Sequence, residues 1–301
     1  GGPTVSDGPV GGPVAGRKPG QAYAGEAQLR IAGADVLARF PFPGYFDPDL
    51  GGHLWIARTV ARYLPPGSRL LDFGAGAADK TAVLAALGYR CTAVDDLADE
   101  WHLRGGARDR ILAFAAQSGI EFVTSLSDVS ADAPFDMAML HDVLEEMHDS
   151  PRYLLVDLLS RVRDGGYLFV TVPNHVNLRK RIAVLFGRTN NPRYEVFYWY
   201  PGQRWRGPVR EYTRGDCTAL AGALGLEVVE LTGAHHMLGQ LPARLRKPYR
   251  ALSRLLPNTR DTWSMVARKP VGWAPRDDLD EAELRRVTGL TSWGESAAPD
   301  R

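Results

Sequence analysis

Residues 68–76 read Ser-Arg-Leu-Leu-Asp-Phe-Gly-Ala-Gly, and this stretch decides the fold. An apolar run ends in an acid, two glycines follow one residue apart, and helix-forming residues come next. Glycine lets the backbone turn sharply and approach a ligand closely, while the N-terminus of the following helix presents free N–H groups. The stretch therefore predicts a strand–turn–helix unit that binds a nucleotide-like ligand.

Two details of this turn distinguish between nucleotide cofactors. The dinucleotide fingerprint G-x-G-x-x-G needs a third glycine, and Asp79 stands at that position. Asp72 lies two residues before Gly74, where an acid suits a ligand with a cationic amino group. The turn resembles the first motif of the class I methyltransferases that use S-adenosylmethionine (SAM). The resemblance implies that SAM binds at Asp72, Gly74, Ala75 and Gly76 and leaves as S-adenosylhomocysteine.

Strand and helix patterns alternate along the rest of the chain. The predicted strands are residues 69–73, 90–95, 120–124, 135–140, 167–172, 226–231 and 263–268. Such alternation predicts an α/β fold, a doubly wound and mostly parallel sheet with helices on both faces. The order resembles the Rossmann-like, seven-stranded methyltransferase sheet, whose last strand is antiparallel.

The same patterns divide the chain into parts. Residues 1–25 are rich in Gly and Pro and are expected to be disordered. Residues 26–270 are expected to form the methyltransferase domain, and residues 271–301 a loosely held tail. Two segments inside the domain, residues 173–212 and 232–262, are longer than ordinary α/β connections. They lie where the family builds its substrate site, so we expect substrate-lobe insertions there.

Composition restricts the function classes. The net charge of +1 gives no indication of a nucleic-acid partner. No apolar run reaches the ~18 residues of a membrane span, and no signal-peptide pattern is visible. Cys91 and Cys217 lie in apolar segments and are expected to be buried thiols. We expect a cytoplasmic enzyme that acts on a small molecule, without a nucleic-acid or membrane partner; the oligomeric state stays open.

Polar residues after successive strands are expected to complete the cofactor site. Asp95 and Asp96 end the second strand, where an acid can accept hydrogen bonds from both ribose hydroxyls. The sequence does not decide which of the two points inward. Ser127 and Asp128 follow the third strand and are expected to reach the adenine, and His141 follows the fourth strand and is expected to contact the cofactor.

Residues 141–149 follow the fourth strand and read His-Asp-Val-Leu-Glu-Glu-Met-His-Asp. They resemble the acid-x-Leu-Glu-His motif of a subgroup that includes ubiquinone-pathway O-methyltransferases and enzymes of glycan and natural-product clusters. In some relatives two acids and that histidine hold Mg²⁺. Asp142 and Glu145 match the acids, but Glu146 occupies the histidine position. Pro208 replaces a histidine of a later motif. We therefore predict no metal site.

The first insertion carries the substrate candidates. Tyr198 and Trp199 belong to a crowded aromatic run, and such rings either stack on a sugar or ring-bearing substrate or form the core of a lid. Arg210 and Tyr212 belong to a segment that resembles the subgroup's Gly-His-Val-Arg-Glu-Tyr-Thr motif. These four residues are the predicted substrate contacts.

The predicted reaction is methyl transfer from SAM to a hydroxyl of a small molecule, a sugar or a secondary metabolite. The protein has to align donor and acceptor, exclude water and accept the hydroxyl proton. His141 and His175 are the candidate bases because they follow the fourth and fifth strands. Two alternatives remain open, an N-methyltransferase on a small molecule and a SAM-binding protein without transferase activity.

Overall fold

The computed structural model describes residues 23–45, 50–130, 133–188, 191–202, 204–235, 242–276 and 278–289. The helices are α1 (Glu26–Arg39), α2 (Gly51–Tyr63), α3 (Asp79–Ala86), α4 (Ala107–Gln117), α5 (Arg152–Ser160), α6 (Leu178–Leu185), α7 (Tyr194–Tyr198), α8 (Arg214–Ala223), α9 (Ala243–Leu255) and α10 (Glu281–Thr288). The strands are β1 (Arg69–Phe73), β2 (Arg90–Val94), β3 (Glu121–Val123), β4 (Phe135–His141), β5 (Val162–Pro173), β6 (Glu227–Ala234) and β7 (Thr262–Arg268). The predicted disordered N-terminus falls largely on residues 1–22, which lie outside the described residues. Of the predicted C-terminal tail, residues 290–301 also lie outside them, whereas Glu281–Thr288 form α10 and the Trp273 indole N–H donates to the Leu224 carbonyl.

The strands form one sheet in the order β3-β2-β1-β4-β5-β7-β6. The first five pair in parallel, and β7 lies antiparallel between β5 and β6. This arrangement confirms the doubly wound sheet with an antiparallel last strand. The strand order reverses between β1 and β4, and ligands of open α/β sheets bind beyond the carboxyl ends of the strands at such a point.

Apolar side chains cover both faces of the sheet. Leu70 and Leu71 are neighbours in β1, yet they belong to different buried clusters because successive strand side chains point to opposite faces. Leu70 packs with α1–α4, and Leu71 packs with α5 and α8. Burial of each such leucine stabilises the fold by about 1.5–3 kcal/mol. The carboxyl ends of the central strands therefore rest on a rigid support.

The strand β5 is longer than predicted. The Asp164-Gly165-Gly166 segment reads as a turn before the strand, but it lies inside β5, where the register against β4 shifts between Phe135 and Met137. Gly166 permits this because a Cβ there would lie 2.8 Å from the carbonyl oxygen of Asp136. Two glycines therefore carry an irregularity within a strand instead of ending it.

Both insertions leave the sheet at the same end. Pro173, the last residue of β5, and Ala234, the last of β6, both pair with Thr262 at the start of β7. The first insertion contains α6 and α7, and the second contains α9. Within the described ranges, every helix is too short or too polar to cross a bilayer.

Candidate functional site: a cleft at the carboxyl ends of the central strands

A cavity of about 1200 Å³ opens at the carboxyl ends of β1, β2 and β4. Its wall combines the glycine turn after β1, the acids after β2 and β4, and part of the first insertion. The lining residues used below are Gly74, Gly76, Asp95, Asp96, Asp99, Ser127, Asp142, Glu146, His148, Tyr200, Arg204, Trp205 and Arg206. We call this cavity the cleft.

The glycine turn forms the floor of the cleft. Gly74 has φ +72°, its N–H donates to the Val94 carbonyl over 2.8 Å, and a Cβ there would lie 2.4 Å from Val143 Cγ2. Gly76 has φ +53°, and a Cβ on it would meet no atom within 4 Å. Only glycine adopts both conformations without strain. The backbone at Gly76 is thus open to a ligand, whereas the Val143 side chain lies against Gly74.

The two acids after β2 have different partners. Asp95 accepts the Gly76 N–H and the Leu97 N–H, each over 2.8 Å, so its carboxylate is held against the glycine turn. Asp96 accepts the Ala98 N–H and pairs with Arg206. A carboxylate has about four acceptor positions, so Asp95 still has positions left for ligand hydroxyls.

The other predicted cofactor residues of β1 and β3 divide between the wall and its support. Asp72 is buried, and burial raises its pKa to about 6 while the Thr81 hydroxyl donates to it over 2.5 Å. It braces α3 from beneath the cleft. Ala75 donates its N–H to Val94 and so shapes the turn. Ser127 lines the cleft, whereas Asp128 stands behind it and accepts from the Ser127 hydroxyl.

Two ion pairs lie beside the glycine turn. His53 Nε2 donates to Asp79 Oδ2 over 2.5 Å, and Lys80 Nζ lies 3.4 Å from Asp142 Oδ2. Burial alone would raise the pKa of Asp79, but the hydrogen bond and charge of His53 keep it below the ordinary value. Sequence reasoning missed His53, because nothing in the helix α2 pattern marks it. These pairs fix charge close to the cleft floor.

Two adjacent glutamates follow β4 and have different surroundings. Burial, and then the Asp142 charge, raise the pKa of Glu145 to about 8. Glu145 is nearly fully buried, and its backbone carbonyl accepts the N–H groups of Val209 and Arg210. Glu146 opens onto the cleft, where desolvation by the wall, and then Asp99, raise its pKa to about 7.

No cluster of three or more His, Cys, Asp or Glu side chains in the described part of the chain is arranged to hold a metal ion. The predicted absence of a metal site stays a prediction.

A segment of the first insertion crosses the cleft. We call residues 204–210 the strap. The Trp205 ring packs edge-on against Tyr200 at 5.1 Å, and the Trp205 carbonyl lies 2.7 Å from His148 Nε2. Arg206 reaches the opposite wall, with Nε 2.7 Å from Asp99 Oδ1 and Nη2 3.2 Å from Asp96 Oδ1. The strap therefore links the loop after β4 to the loop after β2.

The predicted substrate residues lie away from this wall. Tyr198 and Trp199 are 62% and 77% exposed and pack edge-on against each other outside the cleft. Arg210 pairs with Asp216, and Tyr212 is buried with its hydroxyl directed to the Leu144 carbonyl at 3.4 Å. Their neighbours Tyr200, Trp205 and Arg206 line the cleft instead. The aromatic run signals this region, but only the fold shows which rings face inward.

The two candidate bases are also separated. His141 is buried against Phe169 with ring centroids 4.8 Å apart, and its Nδ1 lies 3.2 Å from the Thr171 hydroxyl. His175 lines a second cavity of about 540 Å³, where its Nδ1 lies 3.3 Å from Glu211 Oε2. The structure places neither histidine on the wall of the cleft, whereas Glu146 stands on it.

The sequence of this chain is similar to that of known proteins, and one family model matches most of it. A family model described as a methyltransferase domain matches residues 53–231, more than half of the chain. Ubiquinone biosynthesis O-methyltransferases of Xanthomonas campestris pv. campestris are 33% identical over 129 residues, 42% of this chain and 52% of theirs. The chain thus matches about half the length of these curated relatives.

Two solved structures are similar to this chain. The N-methyltransferase NodS of Bradyrhizobium japonicum WM9 with S-adenosyl-L-homocysteine is 16% identical, with a TM-score of 0.45, over 81% of this chain and 98% of that one. The magnesium protoporphyrin IX methyltransferase of Synechocystis PCC 6803 is 15% identical, with a TM-score of 0.46, over 81% and 97%. At these scores neither likeness supports a statement about this chain.

The residues of the cleft fit an adenosyl ligand. A Cβ on Gly76 would point into open space at the floor, so the backbone there admits close approach of a ligand. Asp95 is fixed at the end of β2 with acceptor positions free for hydroxyls. The N-terminus of α3 follows the glycine turn directly. Backbone, acid and helix end are thus placed as a nucleoside requires.

Proposed function

Because this chain belongs to the methyltransferase-domain family and has the class I fold that uses SAM, we propose that it methylates a hydroxyl of a small molecule, a sugar or a secondary metabolite. Bound SAM supplies a methyl group made electrophilic by its sulfonium. The chain's own residues have three further tasks: holding the cofactor, accepting a proton and excluding water.

Asp95 and the glycine turn are our proposed cofactor contacts. The Asp95 carboxylate is oriented by two backbone N–H groups, so it needs no reorganisation to accept the ribose hydroxyls. Gly76 leaves its part of the floor free of side chains, and Gly74 gives room to the Val143 side chain that packs against it. Ser127 lines the cleft after β3 and is proposed to contact the adenine side. Asp96 is assigned instead to holding Arg206.

The observation that carries the proposal is the position and pKa of Glu146. A general base works best when its pKa lies near the working pH, and the pKa of Glu146 is raised to about 7 on the cleft wall. We assign its carboxylate as the acceptor of the hydroxyl proton. Neither candidate histidine reaches that wall, so this role passes from His141 and His175 to Glu146.

The strap is proposed to exclude water and to contact the acceptor. Trp205 and Tyr200 present rings to the cleft, and His148 and Arg206 fasten the strap to both walls. Aromatic rings offer large contact area to a sugar or a ring-bearing substrate. Closing the cleft also strengthens the electrostatic interactions inside it.

A second candidate function is N-methylation, and one observation favours it. The cleft lining contains eight acids and only two arginines. Asp99, Glu100, Asp149 and Asp157 each pair with an arginine, but Asp95 and Glu146 have no such pair among the described residues. Carboxylates attract a cationic amine, whose nitrogen has to lose a proton before it attacks the methyl group. Glu146 serves as proton acceptor in this reaction as well.

The test is turnover with paired acceptors. The protein is incubated with SAM and matched hydroxyl and amine compounds, with Mg²⁺ and with EDTA. S-Adenosylhomocysteine and a mass gain of one methyl are then measured. Product from hydroxyl compounds supports the proposal, and product from amines alone supports the second function. Tight SAM binding without product from any member of a broad panel favours a SAM-binding protein without transferase activity.

A further inference from the structure

The strap borders a second cavity as well as the cleft. Trp205 and Arg206 line the cleft, whereas residues 208–210 line a cavity of about 540 Å³, which we call the side cavity. Its volume lies within the range of about 300–1000 Å³ that is typical of small-molecule sites. Cofactor binding and proton transfer, as proposed above, take place in the cleft, so the side cavity has no role in them.

Two sequence motifs meet in the side cavity. His175 follows β5, and its backbone N–H donates to the Tyr212 carbonyl over 3.0 Å. The Tyr212 N–H donates in turn to the Pro173 carbonyl over 3.3 Å, so the Arg-Glu-Tyr-Thr segment runs alongside the end of β5. The neighbours of Tyr212, Glu211 and Thr213, line the cavity together with His175. Backbone hydrogen bonds therefore hold these side chains in place around the cavity.

The acids of the side cavity already have partners. Glu211 pairs with Lys180 of α6 through Oε1, and its Oε2 lies 3.3 Å from His175 Nδ1. Asp216 Oδ2 accepts the Thr213 N–H over 2.7 Å and the Thr213 hydroxyl over 2.6 Å. Three of the four carboxylate oxygens in this cavity are therefore engaged by described residues, and they offer a ligand little acceptor capacity.

Arg210 supplies hydrogen-bond donors to the side cavity. Its Nη2 lies 3.2 Å from Asp216 Oδ1, the fourth of these oxygens, and Asp216 is its one ion-pair partner in the described part of the chain. A guanidinium carries several N–H donors, so most of them remain available. The Arg210 side chain is 68% exposed, and exposed ion pairs contribute only about 0.2–1 kcal/mol. An excess of donors over acceptors favours an anionic ligand.

The remaining wall of the side cavity includes apolar side chains. Pro192, Pro208 and Val209 line it and offer contact area to a carbon skeleton. We propose that the side cavity binds a small organic anion, a carboxylate or a phosphate monoester, with Arg210 on its anionic oxygens and these three side chains against its carbon skeleton. A guanidinium matches carboxylate and phosphate oxygens through two parallel N–H groups. This site is separate from the cleft and does not depend on the proposed methyl transfer.

The test is a ligand-observed NMR titration of the full chain, without SAM and at constant ionic strength. Benzoate and phenyl phosphate are compared with benzamide, which has nearly the shape of benzoate without its charge. We expect both anions to bind, and benzamide to bind at least about tenfold more weakly, because hydrogen bonds to charged groups are the stronger ones. R210Q is expected to weaken both anions by a similar factor. Inorganic phosphate, which lacks a carbon skeleton, should displace phenyl phosphate only at higher concentration.

Arg206→Gln is the matched control, because Arg206 is also a strap arginine paired with acids but lines the cleft. It is expected to bind both anions like the unaltered chain. D216N removes the carboxylate that competes for Arg210 and is expected to tighten binding several-fold, a gain that a misfolded variant would not show. Four results would overturn the proposal: no binding of either anion, benzamide binding as tightly as benzoate, equal losses in R210Q and R206Q, or inorganic phosphate binding as tightly as phenyl phosphate.

Discussion

Arg206 Nε lies 2.7 Å from Asp99 Oδ1, and this ion pair joins the strap to the opposite wall of the cleft. The same guanidinium contacts Asp96, so one strap residue holds two acids of the loop after β2. Nearby Asp95 is the proposed ribose contact. We call the contact of Arg206 with Asp96 and Asp99 the latch. Because these two acids lie in the same loop as Asp95, we expect opening of the strap and release of the cofactor to be coupled.

Loss of the latch is expected to speed cofactor release. Exposed ion pairs contribute about 0.2–1 kcal/mol and weaken with salt, so SAM dissociation from the unaltered protein should accelerate as salt rises. In Arg206→Gln, dissociation should be several-fold faster at low salt and nearly salt-independent. Stopped-flow displacement measures both. Arg204→Gln removes a neighbouring strap cation, paired with Asp149, and should keep the salt response. If Arg206→Gln and Arg204→Gln released SAM at the same rate and with the same salt dependence, the role of Arg206 as a latch would be contradicted.

The proton acceptor predicts a pH profile. A base works when deprotonated, and the pKa of Glu146 is raised to about 7, so kcat/KM should rise with pH and level off above about 7. Glu146→Gln should lower kcat/KM by about 10²–10⁴ and abolish that rise. His141→Gln should keep the pH dependence. A profile that persists in Glu146→Gln would return the role to another group.

Buried Glu145 predicts a pH dependence of stability with the opposite sign to that of an ion-paired acid. Its pKa is raised from 4.5 to about 8 in the folded state, so the folded protein binds more protons than the unfolded chain between these values. The free energy of unfolding should therefore fall as pH rises from about 5 to about 8. Glu145→Gln keeps the shape and should flatten this dependence in urea titrations. If the free energy of unfolding of Glu145→Gln depended on pH as steeply as that of the unaltered protein, the raised pKa of Glu145 would be contradicted.

Two tryptophans of the first insertion form a matched pair. Trp205 lines the cleft, and Trp199 is exposed outside it. Trp205→Ala should raise the KM of the acceptor and lower turnover at least tenfold, while Trp199→Ala should change either by less than about threefold, since exposed substitutions rarely matter. Steady-state kinetics with a converted acceptor decide this. A larger effect of Trp199→Ala than of Trp205→Ala would contradict this assignment. It would support the sequence-based prediction that Tyr198 and Trp199 contact the substrate.

The sequence predicts much of the fold for local reasons. The central strands β1, β2 and β4 are short apolar runs, and the acid-glycine turn at residues 72–76 fixes the place of the cleft. The bounds of β5 could not be predicted from the sequence, because Gly165 and Gly166 have the pattern of a turn. Only the pairing of β4 with residues on both sides of these glycines shows that the strand continues through them. Helix α1 packs its core-facing residues Leu29 and Val36 within a weakly periodic sequence, and it was not predicted.

The site was less predictable because its wall depends on tertiary contacts. Nothing local distinguishes Glu145, buried under the strap, from Glu146 on the cleft wall. Likewise, the orientation of Tyr200 and Trp205 follows from their stacking and from the His148 contact, which joins distant parts of the chain. Both glutamates lie in the segment that resembles the motif of metal-using relatives, but only the fold gives them different surroundings and hence different pKa values.

The central claim is that the cleft binds SAM through Asp95 and the glycine turn. Calorimetry with SAM, S-adenosylhomocysteine and NAD on the unaltered chain, Asp95→Ala and Asp96→Ala tests it most directly. We expect SAM and S-adenosylhomocysteine to bind and NAD not to bind. Asp95→Ala should weaken SAM by about 1–3 kcal/mol, the cost of leaving hydrogen-bond partners unpaired, and Asp96→Ala by less. Tight NAD binding without SAM binding, or unchanged SAM affinity in Asp95→Ala, would contradict the account.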